Sequence, residues 1–115
     1  MNKIYYIAEI GLNHNGNIEL AKKMIKAAKA SGADAVKFQS IKADKLVSPN
    51  IFFDPIDGFG LDGVQTIGEF WEKVSIDKEF HLEISDYSEK LGIEFISTPF
   101  DFDSVDLLEK INVKR

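Results

Sequence analysis

The chain has 115 residues, with 14 Lys and Arg against 19 Asp and Glu, which gives a net charge of −5 at pH 7. This acidic balance argues against a nucleic-acid-binding protein. Hydrophobic residues make up 44% of the chain and charged residues 29%, which is the composition of a folded globular protein. The length predicts a single domain, and neither disorder nor a coiled coil fits the composition.

The chain contains no Cys, which excludes a disulfide framework, a thiolate nucleophile and a Cys-ligated zinc or iron–sulfur site. No apolar run approaches the roughly 18 residues that a membrane span needs. The first residues also lack the charged start and long apolar stretch of a signal peptide. We therefore expect a cytoplasmic protein that binds neither membranes nor nucleic acid.

The first predicted unit is a strand, a turn and a helix. Ile4–Ile10 is rich in β-branched and aromatic residues, which predicts a strand largely buried on both faces, as in a parallel sheet. After the turn-rich segment 11–17, apolar residues recur at helical spacing. Asn17 is expected to cap this helix at its start and Gly32 to follow its end.

Two further β/α units are predicted. Strands are expected at Ala33–Gln39 and Glu94–Thr98, and each is associated with an apolar helical pattern. The order β-α-β-α-β-α predicts three adjacent parallel strands with helices outside, an α/β fold. The helix caps are expected at Asp77, Gly92 and either Asp101 or Asp103.

A sheet of three strands leaves two edges with unpaired backbone groups. Its inner face also needs a cover that this sequence does not supply. We therefore expect these residues to be part of a larger α/β structure, or to complete the fold by association.

One connection is unusually long. Ser40–Gln65 spans about 26 residues, whereas such loops usually have 2–6, and this length is typical of a lid or binding loop. Within it, Gly58–Gly63 matches G-x-G-x-x-G, but no buried strand precedes the motif, so we interpret it as loop rather than as a dinucleotide site. A short helix over Thr66–Val74 is expected to close the connection, with Phe70 and Trp71 as anchors.

Polar residues occur at the carboxyl ends of the otherwise apolar strands. They are Glu9 in the first strand, Lys37 and Gln39 in the second, and Ser97 and Thr98 in the third. In parallel α/β folds, ligands bind at this end of the sheet. These five residues are therefore the first candidates for a functional site.

Side chains alternate along a strand, which sorts these residues by face. If Val36 and Phe38 meet the helices, Lys37 and Gln39 point to the inner face. Glu9, on the neighbouring strand, is then expected to approach Lys37 closely enough to pair. Burying an unpaired charge costs free energy, so charged side chains at these positions are not explained by stability alone.

Three interpretations of Lys37 remain open at this point. With Glu9 it could form a structural ion pair that binds no ligand. With a neighbouring hydroxyl it suits an anionic ligand, since Lys acts as a point charge for phosphate or carboxylate. It could also be a Schiff-base nucleophile, but this requires a neutral amine, whereas a nearby Glu9 stabilises the ammonium.

Other polar motifs are less specific. Asp101 and Asp103 resemble a metal-binding D-x-D pair, but carboxylates just before a helix are more often caps. His14 lies in the first loop, at the expected ligand rim, and is a candidate contact for substrate or metal, although a lone loop His without a partner at ligand spacing is more often not a ligand. His81 is interpreted as a helix-surface residue and is assigned no function.

Three segments in order, Ala8–Gly16 (AEIGLNHNG), Val36–Gln39 (VKFQ) and Ile96–Phe100 (ISTPF), resemble the sialic acid synthase family. The resemblance implies that the chain is the N-terminal part of a (β/α)₈ barrel, with about three of the eight strands. It also implies a transferase that condenses phosphoenolpyruvate with N-acetylmannosamine or a related amino sugar, releasing phosphate and forming a nine-carbon 2-keto sugar acid.

The resemblance also assigns roles to residues. Lys37 would hold phosphoenolpyruvate, Thr98 would contact its phosphate, and Glu9 and Gln39 would face the sugar and the reacting centre. Glu9, Lys37 and Gln39 are thereby the candidate catalytic residues. The further candidate substrate contacts are Ser97, Asn13 and His14.

Parts of the implied enzyme are absent from residues 1–115. Family members use a divalent metal, Mn²⁺ or Mg²⁺, whose histidine ligands would lie beyond Arg115, as would an antifreeze-like domain. The full-length enzyme is expected to be a homodimer, and residues 1–115 alone are expected to be inactive and to self-associate.

The sequence does not identify the acceptor sugar. The alternatives are a Schiff-base aldolase or lyase of the same barrel class, and a non-catalytic half-barrel interaction module.

Overall fold

A computed structural model of the chain describes residues 3–46, 48 and 66–115. In this part the elements follow the predicted β/α order, with one short helix, α2, where the sequence predicts only a loop. The strands are β1 (Ile7–Gly11), β2 (Ala35–Ser40) and β3 (Glu94–Pro99), and the helices are α1 (Ile18–Ala30), α2 (Ala43–Leu46), α3 (Ile67–Val74), α4 (Lys78–Leu91) and α5 (Phe102–Lys110).

The three strands form one parallel sheet in the order β1-β2-β3, which confirms the predicted α/β fold. Glu9 lies opposite Lys37, and Gln39 lies opposite Thr98. The β1–β2 register shifts between Glu9 and Gly11, as at a β-bulge. All three strands therefore end on the same side of the sheet, and Gln39 and Thr98 lie one residue before the ends of β2 and β3.

The predicted helix caps are confirmed. The side chains of Asn17, Asp77 and Asp101 each accept a hydrogen bond from the backbone amide three residues further on, at 2.9, 2.8 and 2.7 Å. Gly92 ends α4 in the left-handed conformation. Asp101 is therefore the N-cap of α5, whereas Asp103 lies within the first turn of the helix. The second carboxylate oxygen of Asp101 accepts from the Lys42 backbone amide at 2.8 Å, which ties the end of β2 to the start of α5.

The hydrophobic core lies between the sheet and the helices. Val36 and Phe38 are both fully buried on this side, which confirms the predicted direction of their side chains. Burial of residues of this size stabilises a fold by about 1.5–3 kcal/mol each. The buried cluster consists of Ile10, Ala21, Ile25, Val36, Phe38, Ile76, Ile84, Ile93, Phe95 and Leu108.

The opposite, inner face of the sheet is open along β1. The sequence predicts a first strand over Ile4–Ile10 buried on both faces, and this prediction is wrong. The strand begins at Ile7, whose side chain is 49% exposed, and Glu9 is exposed as well. Only Ile10 and Gly11 are buried, because β1 is an edge strand and the described residues cover it from the helix side alone.

The long connection after β2 is described only in part. The predicted lid and the Gly58–Gly63 motif lie outside the described residues. The predicted closing helix is confirmed as α3, which begins with a capping box between Thr66 and Glu69. The rings of Phe70 and Trp71 are half-buried and meet edge to face at 5.2 Å. None of the helices in the described ranges combines the length and hydropathy needed to cross a bilayer.

Substitution of Gly16 should destabilise the loop between β1 and α1. Gly16 has a φ of 71°, and an added Cβ would overlap the backbone carbonyl oxygen of Lys73 at the end of α3. Gly32 is a matched control, because it has a φ of 86° with open space around the Cβ position. We expect Gly32→Ala to lower the free energy of unfolding by about 1–2 kcal/mol from backbone conformation alone.

Gly16→Ala should cost clearly more than Gly32→Ala, because the overlap adds to the backbone strain. Urea denaturation followed by circular dichroism measures both free energies. Equal losses in the two variants would contradict the packing of this loop against α3.

Candidate active site

Glu9 and Lys37 form an ion pair on the inner face, in the middle of β1 and β2 rather than at the expected carboxyl ends. The Lys37 Nζ lies 3.0 Å from the Glu9 Oε2, which confirms the predicted pairing. The two side chains are 36% and 46% exposed, so the described residues do not bury the pair in the core.

Gln39 lies beside this pair. A Cβ built on Gly11 would be 3.4 Å from the Glu9 Oε1 and 4.0 Å from the Gln39 Nε2, so the acid and the amide flank the same glycine. Thr98 is the register partner of Gln39 on β3, and both are half-buried. Glu9, Lys37, Gln39 and Thr98 are called the inner-face cluster below.

The inner-face cluster offers complementary hydrogen-bonding groups. The Lys37 ammonium has three donors, and its contact with Glu9 leaves others for an anion. Thr98 adds a hydroxyl, Gln39 an amide that donates and accepts, and Glu9 a carboxylate that accepts. This combination suits a small molecule that carries both negative charge and hydroxyl groups.

Ser97 does not belong to the cluster, although the sequence groups it with Thr98. It is the register partner of Phe38, and its side chain is buried on the helix side of the sheet. Its Oγ lies 2.6 Å from the Oγ of Ser40. The expected position at the ligand rim is wrong, because neighbouring residues of a strand point to opposite faces.

His14 is also placed differently from the prediction. It is fully buried, with its ring centroid 5.8 Å from that of Phe38 and 5.3 Å from that of Phe80. The Gly16 backbone amide donates to its Nδ1 at 3.0 Å, which places the proton on Nε2. The ring packs against the helix side of the sheet, so the expected position at the rim is wrong. The neighbouring Asn13 is exposed, and its role as a substrate contact stays a prediction.

The sequence predicts a surface position for His81, and this prediction is wrong. The side chain is 1% exposed, and its Nε2 lies 2.6 Å from the Ser40 Oγ. The sequence did contain a signal for its burial, because His81, Ile84 and Ser88 recur at helical spacing, and all three are buried on one face of α4.

The described residues do not fit the divalent metal that the resemblance implies. Within residues 3–46, 48 and 66–115, no group of three or more His, Asp or Glu is placed to hold a metal ion. Asp101 acts as a helix cap, and Asp103 pairs with Lys42 at 3.0 Å, so this pair of aspartates is structural. We therefore derive no chemical step through a metal ion from these residues.

Burial favours the neutral form of both histidines. It lowers the pKa of His14 to about 4, an effect to which the nearby His81 adds and which the Gly11 carbonyl opposes. Burial likewise lowers the pKa of His81, against the effect of the Asp77 carbonyl. In the unfolded chain both rings titrate near 6.5, so below that pH the unfolded state binds protons that the folded state does not.

Stability should therefore fall as the pH decreases from about 6.5 to about 4, by up to about 3 kcal/mol for His14. His14→Phe keeps an aromatic ring between Phe38 and Phe80 and should reduce this slope, while His81 continues to contribute. Urea denaturation at a series of pH values measures the slope. An unchanged slope in His14→Phe would show that His14 is not held neutral in the fold.

Curated proteins similar to this chain match almost its whole length. The N,N'-diacetyllegionaminic acid synthase of Legionella pneumophila is 43% identical over 111 residues, which cover 96% of this chain and 31% of that protein. The synthase of the same name from Campylobacter jejuni is 41% identical over 114 residues, or 99% of this chain and 34% of that protein.

A solved structure gives the same result. The N-acetylneuraminic acid (sialic acid) synthetase of Leptospira borgpetersenii, in complex with citrate, superposes with a TM-score of 0.74 at 30% identity. The match covers 98% of this chain and 35% of that chain, in its N-terminal part. This chain therefore spans about a third of the length of the proteins it matches. The NeuB family model matches residues 24–115, and the chain belongs to the NeuB family.

Proposed function

We propose that these residues form the donor-binding part of a sugar acid synthase, which condenses phosphoenolpyruvate with an amino sugar to give a nine-carbon 2-keto acid and phosphate. The observation that carries the proposal is the Lys37–Glu9 pair, 3.0 Å apart and partly exposed on the inner face, with Gln39 and Thr98 beside it. Relatives named as synthases of legionaminic and N-acetylneuraminic acids support the substrate class.

Lys37 and Thr98 are assigned to the anionic donor. Phosphoenolpyruvate carries a phosphate and a carboxylate, and Lys37 offers an ammonium whose remaining donors face the inner side. The Thr98 hydroxyl donates to the phosphate in this proposal. Lys37 lies in the middle of β2 and Thr98 near the carboxyl end of the neighbouring β3, the end at which parallel β/α folds bind ligands.

Glu9 and Gln39 are assigned to the reacting centre. The donor C3 forms a bond to the aldehyde carbon of the open-chain sugar, and water adds to C2. One proton of the water goes to the alkoxide on the sugar. The C2–O bond to phosphate then breaks, and the second proton of the water leaves the C2 hydroxyl and goes to the phosphate, which gives the ketone and hydrogen phosphate. In this scheme Glu9 accepts a hydrogen bond from the water or a sugar hydroxyl, and Gln39 orients the same region.

Lys37→Met should reduce phosphate release from phosphoenolpyruvate and N-acetylmannosamine, or a diacetylated amino sugar, by about 100-fold or more. The substitution removes the charge that holds the donor but keeps the apolar stem. The fold should tolerate it, since an ion pair this exposed contributes at most about 1 kcal/mol. Steady-state kinetics of the purified protein at its native length measure the effect.

Lys42→Met is the matched control, because Lys42 also forms an ion pair at 3.0 Å, with Asp103, outside the inner-face cluster. It should leave turnover within about threefold of the unsubstituted protein. Turnover of Lys37→Met at the level of Lys42→Met would remove Lys37 from its assigned role.

The same protein distinguishes a synthase from a Schiff-base enzyme. A lysine amine in a salt bridge is charged, whereas imine formation needs the neutral amine. Borohydride added during turnover should therefore leave Lys37 unmodified. An adduct of reduced substrate mapped to Lys37 by mass spectrometry would overturn the synthase proposal in favour of an aldolase or lyase.

A further inference from the structure

A chain of buried hydrogen bonds lies directly behind the inner-face cluster. Ser40 follows Gln39 on β2, and Ser97 precedes Thr98 on β3. Because side chains alternate, both serines face the helices, where they are 0% and 4% exposed. Their Oγ atoms are 2.6 Å apart, so one hydrogen bond joins the two strands at the level of the cluster.

His81 on α4 extends this chain of hydrogen bonds. The direction of each bond follows from the last group in the chain, the Asp77 backbone carbonyl. The His81 Nδ1 lies 2.6 Å from the Asp77 backbone carbonyl, which can only accept. His81 therefore donates from Nδ1, and its Nε2 accepts from the Ser40 hydroxyl at 2.6 Å. The Ser40 Oγ in turn accepts from Ser97. Ser97, Ser40 and His81 are called the Ser–His chain below.

Further contacts hold the same strand ends. The Phe100 backbone amide donates to the Ser40 carbonyl at 3.0 Å, and the Lys42 amide donates to Asp101 at 2.8 Å. The ends of β2 and β3, the start of α4 and the start of α5 are thereby joined by directional bonds. Apolar packing is not directional, so it would leave these ends freer to shift against one another.

We propose that Ser97, Ser40 and His81 are positioning residues, which fix the ends of β2 and β3 so that Gln39 and Thr98 contact the substrates together. This inference rests on the proposed function of the inner-face cluster. It also gives Ser97 a role other than the substrate contact expected from the sequence. No member of the Ser–His chain is assigned a direct contact with the substrate. Ser40 and Ser97 act through Gln39 and Thr98, their neighbours along the strands, and His81 acts through Ser40.

Ser40→Ala is the central test, because it removes the hydroxyl that both accepts from Ser97 and donates to His81. We expect it to raise the KM for phosphoenolpyruvate by about tenfold and to lower kcat in the native-length protein. A loss of folded protein alone would lower kcat and leave KM unchanged.

Ser88→Ala is the control. Ser88 is buried on α4, the helix that carries His81, but its hydroxyl donates only to the Ile84 carbonyl, at 2.7 Å. If Ser40→Ala does not fold, Ser97→Ala replaces it as the test. Ser97→Ala removes one hydrogen bond instead of two and should also raise the KM for phosphoenolpyruvate.

A second readout needs no substrate, which separates failure of this inference from failure of the proposed function. Ser40→Ala should shift the NMR signals of the Gln39 side-chain amide and the Thr98 methyl group, and Ser88→Ala should leave them in place. If the unsubstituted protein shows no turnover but these shifts occur, the proposed function fails and the positioning holds. Unchanged signals together with an unchanged KM in Ser40→Ala and Ser97→Ala would overturn the inference.

Discussion

The alternation of side chains along β2 is the constraint on which the site depends. Val36, Phe38 and Ser40 point to the helices and are fully buried, whereas Lys37 and Gln39 point to the inner face and are half-buried. One strand thus anchors the core and presents an amine and an amide to a ligand. A shift of one residue in register would bury the lysine and expose the phenylalanine, so the core holds the site in place.

The two faces of the sheet differ in chemistry as well as in burial. The inner face carries charged and polar groups, among which the Lys37–Glu9 pair is partly exposed. The helix side carries an apolar core and, at the same end, the buried bonds of Ser40, Ser97 and His81. Buried polar groups are costly unless they are hydrogen-bonded, so this arrangement holds only while every member has its partner.

Much of this fold follows from local sequence patterns. Caps at Asn17, Asp77 and Asp101 and the alternation around Lys37 depend on a few neighbouring residues, so the helices, the strand order and the ion pair were predictable. The resemblance of three short motifs then pointed to the family that the comparisons show. The structure brings Glu9, Lys37, Gln39 and Thr98 together on one face of the sheet, and their roles in binding or catalysis remain a proposal.

The errors concern burial that depends on tertiary contacts. His14 lies in a loop of polar residues, and only the approach of Phe38 and Phe80 buries it. His81 has acidic neighbours two positions away on each side, which suggested a surface, but its partner Ser40 is 41 residues distant. Ser97 and Thr98 are neighbours in β3 but point to opposite faces of the sheet, so a shared position near the strand end does not place both at the ligand. The exposure of β1 depends on what covers the inner face, which no local pattern contains.

The most direct test of the account is whether phosphoenolpyruvate contacts Lys37. Titration of the ¹⁵N-labelled native-length protein, followed through the lysine side-chain ammonium signals, resolves this contact. The account predicts that the Lys37 signal shifts and saturates with phosphoenolpyruvate while the Lys42 signal stays in place. Saturable binding with an unchanged Lys37 signal would contradict it.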